Sequence, residues 1–167
     1  MAVANRLNRI VAVLNKLPAS WRTPALSWLF GSQVKLAGTA GIRVQEMTRQ
    51  RATLSIANRR RVQNHIKGVH AAAMALLAES ASGFLVAMNL PETKLPLIKT
   101  LKVDYRKRAV GGLTAVASLT AEQIAAFEQQ DKGEVWVTVT VTDESGSAPI
   151  DCAMLWAWIT KKAPVAQ

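Results

Sequence analysis

The sequence predicts an α+β fold in which an antiparallel sheet wraps around one long central helix, preceded by an N-terminal helical extension. Three observations predict it. Residues 64 to 83, Asn-His-Ile-Lys-Gly-Val-His-Ala-Ala-Ala-Met-Ala-Leu-Leu-Ala-Glu-Ser-Ala-Ser-Gly, read as one nearly all-apolar helix, with 68 to 82 as its wrapped part. A helix apolar on every side must be covered by other structure. Most of the chain beyond residue 40 alternates apolar and polar residues with the period of strands. Near the N-terminus, Leu7, Ile10, Val11, Leu14 and Leu17 recur at helical spacing, with Arg6, Arg9 and Lys16 outside the stripe.

The elements follow in order. The first helix packs on its own domain, because Pro18, Trp21 and the cluster Trp28-Leu29-Phe30 continue into further apolar structure. The same basic, amphipathic stripe would also suit an anionic lipid surface or an organelle address. Gly41 to Met47 and Arg51 to Asn58 form a hairpin turning at Thr48 to Gln50, with Leu54 and Ile56 on one face. Gly83 predicts the C-terminal stop of the long helix, and Phe84 to Leu90 follow it. Leu97 to Arg108 set Leu97, Leu101, Val103 and Tyr105 against Thr100, Lys102, Asp104 and Arg106, and Gly111-Gly112 turn the chain into Leu113 to Leu119. Thr120-Ala121-Glu122 cap a brief helix. Val135, Val137, Val139 and Val141 then alternate with Trp136, Thr138, Thr140 and Thr142 before a turn at Ser145-Gly146-Ser147. The last strand, Ile150 to Thr160, is apolar on both faces, which implies a central strand or a subunit interface. Residues 1–34 form the extension and 35–162 the sheet-and-helix domain.

A chain of 167 residues, 50% of them hydrophobic, suits one domain with a full core. No run of 18 uncharged apolar residues occurs, so no integral membrane association is expected. Cys152 is the single cysteine; it cannot form an internal disulfide, which fits a reducing, cytoplasmic compartment. Its place in the apolar run Ile150 to Ile159 marks a buried structural thiol rather than a nucleophile. The net charge is +10, and Arg6, Arg9, Lys16, Arg22, Lys35 and Arg43 all precede the first acidic residue, Glu46. Nucleic acid, a membrane surface and a phosphorylated ligand would each satisfy that charge. Aromatic residues do not interleave with the basic clusters as single-strand stacking requires, so nucleic acid is not the expected partner.

The central helix holds one carboxylate, Glu79. Burying it unpaired costs several kcal/mol or forces it to take up a proton, so an acid kept there suggests a use. Around it the pattern resembles the phenylacetyl-CoA-type thioesterase branch of the hotdog-fold superfamily. That branch shows an Asn, then six residues later His-Gly-Gly, then Leu-Ala-Asp-Thr-Ala; here Asn64, His70-Ala71-Ala72 and Leu77-Ala78-Glu79-Ser80-Ala81 follow without a gap. Two departures stand out: Ala71 and Ala72 replace the glycines, and Glu79 replaces the aspartate.

The resemblance implies a hotdog domain that hydrolyses acyl-CoA thioesters, with coenzyme A as part of the substrate and no separate cofactor. It implies that Glu79 attacks the thioester or activates water, while the Ala71 backbone N–H polarises the carbonyl. Eight residues of helix separate the two groups by about 12 Å, so one carbonyl cannot touch both. A shared site across a homodimer, or a homotetramer of two such dimers, resolves this. Asn64 binds the carbonyl or orients water, or is a turn residue. His70 contacts the acyl group or fixes the loop before the helix. Coenzyme A phosphates would meet Arg59, Arg60, Arg61 and Lys67, or Arg106, Lys107 and Arg108. His65 and His70 with Glu79 are too few and wrongly spaced for a metal, and none is expected. A hotdog dehydratase also uses a His and an acid, but its motifs are not evident. A non-catalytic binder of acyl-CoA or another anion is the alternative.

Overall fold

The computed structural model describes residues 5–161. Three helices come first: α1 (Arg6–Leu14), α2 (Ala19–Gln33) and α3 (Lys35–Ala40). The expected first helix thus forms, with residues 1–4 outside the described part. Asn5 caps it, its Oδ1 accepting from the Asn8 N–H at 2.7 Å, and Val11 is buried. The α2 segment carries Phe30 onto the central helix, where it stacks on Phe84 with ring centroids 4.5 Å apart.

Six strands form one antiparallel sheet in the order β1-β2-β4-β5-β6-β3. They are β1 (Arg43–Met47), β2 (Arg51–Ile56), β3 (Lys94–Tyr105), β4 (Leu113–Ser118), β5 (Gly133–Asp143) and β6 (Ile150–Thr160). The hairpin turns where expected, at Thr48, whose N–H and hydroxyl both bond the Arg51 carbonyl. On β5, Val135, Val137 and Val141 are buried while Trp136, Thr138 and Thr140 face solvent, the outcome of strict alternation. The doubly apolar β6 is an internal strand, between β5 and β3. The short helix α5 (Ala121–Gln129) starts with a capping box: Thr120 Oγ1 accepts from the Gln123 N–H, and Gln123 Oε1 accepts from the Thr120 N–H.

The long helix α4 (Ala71–Asn89) lies across this sheet and buries Leu77, Ala78, Ala81, Leu85 and Val86. This arrangement is the hotdog fold. Two expectations about α4 are corrected. Its start is Ala71, because residues 64 to 70 form a hydrogen-bonded loop. Its end is Asn89, because Gly83 does not stop it. A Cβ at Gly83 would come within 2.7 Å of the Trp156 ring, so this glycine lets β6 approach the helix. Beside it, Trp156 Nε1 donates to Ser82 Oγ at 2.9 Å. By length and hydropathy α4 could cross a membrane, but here it is the core of the domain, covered by the sheet.

β3 is one edge of the sheet and β1 the other. The β3 side chains Leu95, Leu97, Ile98, Leu101 and Tyr105 are between 39% and 50% exposed, and its outer backbone groups have no neighbouring strand among the described residues.

Candidate active site

The start of α4 is built by its own approach loop. Asn64 Oδ1 accepts from the Ile66 and Gly68 N–H groups at 3.1 and 3.0 Å, closing a tight turn. Lys67, at φ 62°, adopts the left-handed conformation that lets the turn complete. An isolated bridge between Gln63 and Val69 ties the two sides together. His70 then caps the helix: its Nδ1 accepts from the Ala72 N–H at 3.0 Å and its carbonyl accepts from Ala73 and Met74. Asn64 and His70 both have loop-building roles here. The Ala71 N–H alone in this first turn keeps no acceptor among the described residues. Helix starts carry partial positive charge, so this free donor favours an oxyanion.

Two clefts flank this end. The first, of about 240 Å³, brings together Asn64, Ala71, Met74, Tyr105 and Arg108. Within it Tyr105 Oη donates to the Ala71 carbonyl at 2.8 Å, and Arg108 Nη2 donates to the Ile66 carbonyl at 3.3 Å. The second, of about 280 Å³, is mostly apolar and includes Leu36, Arg61, His70, Ala73 and Leu76. Tyr105 and Met74 are additions to the sequence-derived set. Nothing in the local pattern marks them, since β3 and α4 meet only in the folded chain.

Glu79 lies farther along α4 and lines neither cleft. It is half-buried and has no hydrogen bond or ion pair among the described residues, and burial pushes its carboxyl above the ordinary glutamate value. A carboxylate that holds its proton more tightly than usual is a better base once it loses it.

The basic residues do not lie in two uniform patches. Arg106 is committed to carboxylates, with Nε 2.6 Å from Asp151 Oδ2 and Nη2 3.8 Å from Asp104. Arg108 turns toward the α4 loop. Lys107, Arg60 and Lys67 are exposed at the surface. Arg59 and Arg61 instead face a third cleft, of about 540 Å³, together with Arg43. The Cys152 thiol is pushed up to about 11 by burial and by Asp151, so it stays protonated, as a structural thiol does. Among the described residues no three His, Cys, Asp or Glu side chains converge as a metal site.

Known structures share this architecture. A Pseudomonas aeruginosa protein of unknown function, described as a probable thioesterase, is similar over 87% of this chain and 97% of its own, with 23% identity and a TM-score of 0.73. A Haemophilus influenzae thioesterase is similar over 99% and 100% of the two chains, with 12% identity and a TM-score of 0.68. A mutant thioesterase enzyme from Staphylococcus aureus covers 75% of this chain and 98% of its own at 14% identity and a TM-score of 0.64. No curated protein matches the sequence. At these identities the likeness shows the hotdog fold. A family model described as "Domain of unknown function (DUF4442)" matches residues 22–159, from within α2 to the end of β6, and the chain belongs to that family.

Proposed function

We propose that the protein is an acyl-CoA thioesterase whose active site is shared across a homodimer, with Glu79 as base or nucleophile and the Ala71 N–H as oxyanion donor. The observation that carries this reading is the isolation of Glu79. It is the one charge in α4, half-buried and without a partner among the described residues, with its carboxyl raised by desolvation. Folding gains nothing from it, which is the mark of a group kept for chemistry.

In the general-base route, a Glu79 carboxylate oxygen takes a proton from water as the water oxygen bonds to the thioester carbon. The carbonyl oxygen becomes an oxyanion facing the Ala71 N–H, and the C–S bond then breaks. The thiolate recovers the proton from Glu79, leaving a carboxylic acid and free thiol. In the nucleophilic route the carboxylate itself bonds to the carbon, the thiolate leaves, and water hydrolyses the resulting anhydride. Both routes need a second copy, since about 12 Å of helix separates Ala71 from Glu79 of one chain. The edge strand β3, long and lined with exposed apolar side chains, is suited to receive that copy. Thioesterase names among the similar structures agree with this chemistry.

Purified protein tested on a panel of acyl-CoA substrates should hydrolyse at least one, and Glu79→Gln should lower kcat by about 10²- to 10⁴-fold. A parent protein that binds acyl-CoA without turnover would replace this reading with a binding module. One feature favours that second reading: the methyl groups of Ala71 and Ala72 are exposed where the resembled motif has glycines. A Gln variant active at the parent rate would leave Glu79 without a catalytic role.

A further inference from the structure

We propose that the cleft between the α2–α3 corner and the β2–α4 loop binds a phosphorylated adenosine, with Arg43, Arg59 and Arg61 on its phosphates and Trp28 against its base. The ligand would be the nucleotide end of the coenzyme A thioester, so the identity of the ligand rests on the function proposed above; the binding chemistry does not.

Three guanidinium-bearing residues from three different segments meet around one cavity of about 540 Å³, within the usual size of small-molecule sites. Arg43 comes from β1, Arg59 from the loop after β2 and Arg61 from the following turn. No aspartate or glutamate lines the cavity, and none of the three arginines forms an ion pair among the described residues. Three arginines outside the cavity are paired, Arg49 with Glu128, Arg51 with Glu46 and Arg106 with Asp151; what sets the cavity apart is that three unpaired ones meet there. Like charges gathered without a counter-charge repel, and arginine cannot relieve this by losing its proton. An anion offering several oxygens in a plane-matched array supplies what is missing, and phosphate is the group that arginine forks bind best.

The backbone makes room for this arrangement. Gly41 sits at φ 76°, and a Cβ there would collide with the Arg61 guanidinium, so the glycine is the seat of that side chain. A Cβ at Gly38 would come within 2.8 Å of the Gly31 carbonyl oxygen, so this glycine allows α3 to fold back onto α2 in backbone contact. That fold-back carries Gly41 and β1 to the cavity's lip. Trp28, 74% exposed on α2, lines the same cavity. An indole left open beside arginines is a platform on which a purine can stack.

The cavity also continues in a useful direction. Arg61 and Ala40 line both it and the apolar cleft that reaches His70, Ala73 and Leu76 at the start of α4. A ligand with phosphates at one end and a thioester at the other would run along that path toward the start of α4, its far end beside His70 and Ala73, while Ala71 lines the cleft on the other flank.

Isothermal titration of the full chain with adenosine 3′,5′-bisphosphate tests the proposal without requiring turnover. Saturable binding is expected, weakened at least about tenfold in the double variant Arg43→Ala with Arg61→Ala and weakened further by added salt. Ligand quenching of indole fluorescence should be present in the parent and reduced in Trp28→Phe. If the parent also hydrolyses acyl-CoA, the arginine variant should raise KM for that substrate by a larger factor than for a short thioester lacking the nucleotide. Binding with no hydrolysis would support this subsite while removing the thioesterase reading. Equal binding in parent and arginine variant overturns the subsite, as does no binding in the parent. In the latter case, anionic vesicles captured through the same arginines would reassign the patch to a lipid surface.

Discussion

Glu79, midway along α4, and Asp143, where β5 enters its last turn, are two carboxylates treated in opposite ways. Asp143 accepts hydrogen bonds from the Val110, Ser145 and Ser147 N–H groups at 2.9, 2.9 and 3.1 Å and from the Ser145 hydroxyl at 2.6 Å. These donors hold its carboxyl down at about 2. Glu79 receives no donor among the described residues and is raised by burial. Donors around Asp143 tie the β5–β6 turn to the loop before β4, so its charge is a piece of the architecture. Nothing in the architecture uses the charge of Glu79. The difference separates a residue that folding selects from one that folding merely tolerates.

The largest effect should come from breaking the tolerated one. Glu79→Gln keeps the shape of the side chain and removes the base, so activity should fall by about 10²- to 10⁴-fold while the melting temperature holds or rises. Asp143→Ala should do the reverse. The four donors lose their acceptor, the Val110 loop is left tied to the turn only through Glu144, and Tm should drop by several degrees with activity per folded molecule retained. If both variants lose activity and stability together, the contrast between the two carboxylates does not hold. Acid adds a finer check on Asp143. Its folded value lies below the unfolded one, so its contribution is full above about pH 4 and is lost as pH falls toward 2. Asp143→Asn should flatten the acid-induced loss of Tm across that window.

Much of this contrast could be read from the linear chain, and the rest could not, for a physical reason. Glu79 is marked by the residues themselves, as the one charge in an apolar helix, whereas Asn64, His70 and Ala71 are marked only by the resemblance of that continuous run to the thioesterase motif. The strands followed from alternation at Leu54, Ile56 and the β5 valines, which depends only on neighbours in sequence. Gly83 misled because a glycine ending a helix and a glycine making room for a distant ring look alike locally. The ring belongs to Trp156, on the last strand. Helix α2 falls within the helical extension expected over residues 1–34, but its own bounds are not legible, because Pro24 and Gly31 lie inside it and both disfavour helix on their own. The gathering of Arg43 with Arg59 and Arg61, and of Tyr105 with Ala71, is purely tertiary.

Gly83 offers an intermediate effect on the helix that carries Glu79. A methyl group at Gly83→Ala would press on the Trp156 ring, and overpacking of this kind typically costs about 1–3 kcal/mol. Alanine returns up to about 1 kcal/mol in helix propensity. A net loss in urea midpoint is expected, with the near-ultraviolet signal of Trp156 altered. A variant more stable than the parent would mean that β6 can withdraw freely and that the glycine is not needed for close packing.

The smallest effect is also the most direct reading of Glu79's surroundings. Its folded carboxyl lies above the unfolded value near 4.5. Between those two values the folded protein holds more protons than the unfolded chain, so stability declines as pH rises through the interval. That is the opposite sign from Asp143. Glu79→Gln has no proton to lose there. The difference in Tm between variant and parent should therefore be near zero at pH 4, grow in favour of the variant as pH rises, and level off once the parent's Glu79 is fully ionised. Because the side chain is only half-buried, solvent screens part of the effect and the rise should be modest. The activity of the parent should climb across the same interval, since the charged form is the base. A stability difference that is flat with pH would show Glu79 to be as well solvated as any surface acid, and would remove the physical ground on which its catalytic role stands.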